Sequence, residues 1–114
     1  MGDIIMNNLT ELNNAITALN DLWPLLDSDD RQRDEIIEYR DQLDAQASEL
    51  AHKILNEGAP MLNDAIEKLN LVTDAAIEAK ESIDDDTRRI NKVGNTIDKS
   101  VSAIEKVAAF VATL

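Results

Sequence analysis

Taken at every seventh residue from Leu62, the chain returns Leu62, Leu69, Ala76, Ile83, Ile90, Ile97, Ile104 and Val111, an unbroken apolar series. Only a helix places such a series along one side. A second series, Ala65 or Ile66, Val72, Ala79, Val93, Val101 and Val107, runs beside it and is interrupted once, at Asp86 and Thr87. The stretch from Pro60 to Leu114 therefore reads as one long helix or as two helices that share a phase.

Upstream, Ile5, Leu9, Leu12, Ile16, Leu19, Trp23 and Leu26 alternate spacings of four and three, which predicts a first helix over about 3–27. Its other faces are rich in Asn and Thr, weak helix formers that need tertiary packing to stay helical. Pro24 is expected to kink or loosen its last turn. Asp27-Ser28-Asp29-Asp30 supplies turn and capping residues, with acids at the start of the next helix, where the helix dipole favours them. The second helix is predicted over about 30–56, with Ile36, Leu43, Leu50 and Ile54 on its seam, Ala47 between them, and Ile37, Ala51 and Leu55 beside it. Glu57-Gly58-Ala59-Pro60 closes it, the glycine suited to a left-handed cap and the proline to a first helical turn.

Asp84-Asp85-Asp86-Thr87 is the point where two architectures part. Consecutive aspartates are poor in a helix interior and favourable at an N-terminus, where Ser82 or Asp84 is placed to cap. A break there leaves four segments of similar length, about 3–27, 30–56, 60–83 and 86–113. The sequence thus predicts an all-α fold, an antiparallel four-helix bundle formed by residues 1–114 as one domain. The alternative is a three-helix arrangement with one long C-terminal coiled-coil helix over 60–114, supported by the heptad phase that persists across the aspartates. In an up-down bundle the first and last helices are neighbours. Residues 1–28 contain no Lys or Arg, whereas the last segment holds Arg88, Arg89, Lys92, Lys99 and Lys106, so that pairing is complementary in charge.

Composition agrees with a helical bundle. The chain is 44% hydrophobic, mostly Leu, Ile, Ala and Val, with one Trp, one Tyr and one Phe, and its three Gly and two Pro leave little material for hairpin turns. All-β and α/β folds are disfavoured. Cysteine is absent, which excludes disulfides, thiolate metal sites and cysteine nucleophiles. The start, Met-Gly-Asp-Ile-Ile-Met, lacks the basic and apolar regions of a secretory signal, and Met6 stands where a myristoylation motif wants Ser or Thr. No apolar run approaches the ~20 residues that span a bilayer. A cytoplasmic location is expected.

The net charge is −12, with −4 over residues 1–28, −5 over 29–59, −3 over 60–83 and zero over 84–114. Such a surface repels phosphates and anionic headgroups, so nucleic acid is not an expected partner. Candidate chemistry is sparse. Glu49-Leu-Ala-His52 has the Glu-x-x-His spacing of di-iron bundles, but His52 is the sole histidine and a second such motif is missing. The aspartate runs lack the Gly and Glu positions of an EF-hand loop. No nucleophile elbow or phosphate-binding glycine loop occurs. The expectation is a non-enzyme without cofactor, metal or small-molecule substrate.

The end of the chain, Val107, Phe110, Val111 and Leu114, is apolar on several faces, and such a helix must be covered by something. These four residues are the predicted contact surface, toward another protein or a second copy in a homo-oligomer. The function expected is a protein-binding helical bundle, as adaptor, secretion partner, inhibitor or assembly subunit, acting through apolar helix faces. The alternatives are a membrane-surface protein that lays residues 88–114 on lipid and an acidic mimic of nucleic acid.

Overall fold

The structure, a computed structural model, describes residues 3–5, 10–50, 54–56 and 60–114. It is an all-α helical bundle of four helices: α1 (Thr10–Leu22), α2 (Arg31–Leu50), α3 (Pro60–Glu81) and α4 (Asp86–Val111). Two short strands, β1 (Asp3–Ile5) and β2 (Ile54–Asn56), pair antiparallel with Ile4 opposite Leu55. The element order corrects both early helix boundaries. Ile5 and Ile54, predicted on helical seams, are in extended backbone instead, and Leu9, Ala51 and Gly58 lie outside the described residues. Both strand segments are short and apolar, and the backbone groups of such a segment are satisfied by pairing with another strand as well as by a helix.

Each helix end has a local cause. Pro24 falls at the start of a 3-10 turn, Trp23–Leu25, which closes α1. At the start of α2, Asp30 caps, its carboxylate accepting the Gln32 backbone N–H at 2.8 Å. Between α3 and α4 the chain reverses over Ser82–Asp85, with the Asp85 N–H donating to the Ser82 carbonyl at 3.1 Å. Asp85 is the N-cap of α4 and accepts the Arg88 N–H at 3.0 Å, a role the sequence had offered to Ser82 or Asp84. Arg89 ties the turn down, reaching the Ile83 carbonyl at 3.2 Å and Asp86 at 2.8 Å. The one long helix over 60–114 is thereby excluded.

α1 packs on α2 and α3, and α4 packs on α3 and α2, so α1 and α4 stand diagonally across the bundle. This corrects the expectation that the first and last helices are neighbours, and with it the argument from their complementary charge. Exposed charge pairs are each worth under about 1 kcal/mol, too little to dictate helix order against burial of the core. Direction follows from two hydrogen bonds. Gln32 Nε2 donates to the Ile90 carbonyl at 3.1 Å and Gln46 Nε2 to the Ile104 carbonyl at 3.0 Å, and both pairs are 58 residues apart. A constant difference means that α2 and α4 run parallel; since short turns join α1 to α2 and α3 to α4, α1 and α3 run parallel as well.

The core contains Leu12, Ala15, Leu19, Leu22 and Leu26 from the first hairpin arm, Ile36, Leu43 and Leu50 from α2, and Leu62, Ala65, Leu69, Val72, Ala76 and Ala79 from α3. α1 and α3 use nearly one motif, Leu-Asn-Asn-Ala-Ile at 12–16 and Leu-Asn-Asp-Ala-Ile at 62–66, and bury the same Leu and Ala of it. In α4 the buried row is Val93, Thr96, Ser100, Ala103, Val107 and Phe110. Ile97 and Ile104 sit beside that row, and Ile90 is 52% exposed. The buried hydroxyls are satisfied within the helix, Thr96 Oγ1 donating to the Lys92 carbonyl at 2.9 Å and Ser100 Oγ to the Thr96 carbonyl at 2.8 Å. Small residues on this face and the alanines of α3 permit close backbone approach, and these two helices share the most extensive contact of the bundle.

Candidate functional site

The four residues predicted as a contact surface divide between core and exterior. Val107 and Phe110 are buried, at 0% and 2% exposure, among the side chains of the bundle itself. Val111 is half-buried against the same core, and Leu114 is 48% exposed. The expectation that all four form a contact surface is corrected for Val107 and Phe110, which the rest of the chain covers, while Val111 and Leu114 keep exposed surface. The sequence showed that the segment needed cover but carried no sign of which helices would supply it.

The concave surface lies elsewhere, between α1 and α3. Asn14, Thr17, Ala18 and Asp21 line it from α1, and Thr73, Ala76, Ile77, Lys80 and Glu81 from α3, enclosing about 550 Å³. Each row repeats at helical spacing, so the site is an open trough along two neighbouring helices. It owes its depth to small side chains: the buried rows hold the helices together, and Ala18, Thr17, Thr73 and Ala76 do not fill the space above them. Ile77 is the exception, a large apolar residue left 49% exposed. The Thr73 hydroxyl is engaged within α3, donating to the Leu69 carbonyl at 3.3 Å. Asp21, Lys80 and Glu81 supply the charges. The arrangement offers apolar contact with acidic groups at its border, which suits association more than bond-making.

A smaller recess of about 360 Å³ lies at the α3–α4 turn, lined by Glu78, Glu81, Ser82, Arg88 and Lys92. Its acids and bases oppose one another, so it favours neither sign of ligand. Ser82 Oγ is engaged by the Glu78 carbonyl at 3.0 Å. Among the described residues no group of three or more His, Asp and Glu is placed to hold a metal ion. Glu49 is exposed at the end of α2, and His52, the other half of the Glu-x-x-His spacing, lies outside the described residues. Among the described residues no helix is long and apolar enough to cross a membrane.

None of the groove's residues had been singled out from sequence as a contact, although Ala76 stood on the first apolar seam. The available signal was Ile77, which sits one position beyond the seam residue Ala76 and has no place in either apolar series. Compared with known protein families, curated proteins and solved structures, the chain matches none.

Proposed function

We propose that this chain is a non-catalytic protein-binding helical bundle, acting as an adaptor, inhibitor, secretion partner or assembly subunit in the cytoplasm. The observation that carries the reading is the α1–α3 trough with Ile77 half-exposed in it. Burial of apolar surface is the main favourable term in protein association, and a concave apolar strip on a rigid helical pair presents that surface already organised. The row of α4 that would have faced lipid in a membrane-surface protein is instead committed to α3 and α2.

The test is affinity capture of the tagged chain from its source cells, followed by titration of the purified captured protein against the purified bundle by calorimetry. A saturable heat with defined stoichiometry supports the reading. Failure of every captured protein to bind once purified, together with flotation of the chain on vesicles, would favour the membrane-surface alternative instead.

A further inference from the structure

We infer that the α1–α3 groove docks a basic amphipathic helix of a partner protein, an inference that rests on the protein-binding reading above. Three observations on the groove converge. Its shape is that of a helix seat. From Asn14 to Asp21 it runs about 10 Å at 1.5 Å per residue, two helical turns, between parallel helices whose facing side chains are small. A helix laid there presents apolar anchors at i, i+3 or i+4, and i+7, the recognition mode of helix-in-groove complexes.

Its interior is apolar where the anchors would enter, with Ile77 beside Ala18 and Ala76. Half of the Ile77 side chain has no cover within the chain. Its border is acidic. α1 carries Glu11 and Asp21 and no basic residue, and Glu81 flanks the groove on α3, against which Lys80 is the single base among the lining residues. The helix that fits therefore carries Lys or Arg on the flanks of its apolar stripe, within reach of Asp21 and Glu81.

Charge also separates this occupant from its competitors. A second copy of the chain brings 23 acidic residues against 11 basic ones, so self-docking works against a net repulsion. An anionic lipid surface is repelled in the same way.

The probe is a synthetic amphipathic helix of about 18 residues with leucines on one face and lysines on the other, titrated by calorimetry against the intact protein at about 150 mM salt. Saturable one-to-one binding is expected, and a counterpart with glutamates in place of the lysines is expected not to bind. Ile77→Ser, and separately Asp21→Lys with Glu81→Lys, should each weaken the lysine peptide about tenfold or more. Ile90→Ser, at an equally exposed isoleucine of α4, and Asp98→Lys with Glu105→Lys, an equal charge change elsewhere, should leave it unchanged. All six positions are exposed, and unchanged helicity by circular dichroism verifies each variant.

Equal weakening by the two isoleucine variants, or by the two charge-reversed pairs, would show diffuse attraction to an acidic surface and overturn the assignment. So would an absence of binding, or a dimer in sedimentation that Ile77→Ser dissociates, which would assign the groove to a second copy. A natural partner that binds wild type and Ile77→Ser equally sinks the groove while the protein-binding reading stands. A chain with no saturable protein partner sinks both.

Discussion

Gln32 and Gln46 show how a polar side chain sets the register of a helical bundle. Each donates its amide to a carbonyl of α4, and each leaves its Oε1 buried without a hydrogen-bond partner. The donor half contributes about 1 kcal/mol, and the unpaired acceptor half costs a similar amount or more. Both Gln46→Ala and Gln46→Leu remove these two opposing terms, but Ala also loses the half-buried aliphatic stem and should lower stability by about 1 kcal/mol, whereas Leu keeps that packing and should be neutral or stabilising. Urea denaturation followed by circular dichroism measures the difference. Phe110 and Leu114 form the second contrast at this scale. Phe110→Ser should cost about 3 kcal/mol or more, since it empties a core position and leaves a hydroxyl there, while Leu114→Ser should change stability by under about 0.5 kcal/mol. A Phe110→Ser protein that melts like wild type would refute the placement of Phe110 in the core.

At the scale of elements, the turn at Ser82–Asp85 separates two helices whose apolar residues happen to keep one seven-residue phase. The phase is real up to Ala79, and Leu62, Leu69, Ala76 with Ala65, Val72, Ala79 are all buried. Beyond the turn Val93 and Val107 of the second series stay in the buried row, while Thr96, Ser100, Ala103 and Phe110 fill the rest of it, one position off the expected Ile97, Val101, Ile104 and Val111. α1 repeats the pattern of error: Ala15 and Leu22 are buried, with Ile16 and Trp23 beside them. Hydrophobicity alone favours the larger residue as the centre of a seam, but where helices approach closely the centre suits a small one, and the large residues move to the flanks. Phe110, larger than its neighbour Val111 and yet buried, is the exception. Because the chain reverses here, a Gly-Ser insertion between Asp84 and Asp85 lengthens a turn and leaves the Asp85 cap in place. Doubling a loop costs only about 0.6 kcal/mol in closure entropy. The melting temperature should fall by a few degrees; a fall of tens of degrees would contradict the reversal.

The whole molecule is an elongated bundle, 47 × 19 × 19 Å, that carries a net charge of −12. The ion pairs described, Arg31–Glu35, Arg40–Asp41 and Arg89–Asp86, each join residues at most four apart, so they support single helices and do not hold one helix to another. With a net charge of −12, the folded chain as a whole repels itself. Raising the ionic strength from about 10 mM to about 150 mM shortens the Debye length from about 30 Å to about 8 Å and screens that repulsion. The melting temperature of the free protein should rise over that range in thermal scans by circular dichroism. A decrease would show that salt-sensitive attraction between helices outweighs the self-repulsion.

What the sequence by itself determined was the kind of structure and its main elements. Seven-residue apolar spacing, scarce glycine and proline, and the absence of cysteine were enough for an all-α bundle. Asp30, Pro60 and the aspartates before Thr87 marked helix starts through capping chemistry that depends only on near neighbours. The tertiary structure decided which helices touch, since the diagonal placement of α1 and α4 follows from the shapes of four faces packed together and not from any one of them. It also decided that Val107 and Phe110 are covered, that extended Asp3–Ile5 pairs with Ile54–Asn56, and that Ile77 is left uncovered beside a groove. Periodicity says which side of a helix is apolar, whereas exposure depends on what packs against that side, and that partner is distant in the chain.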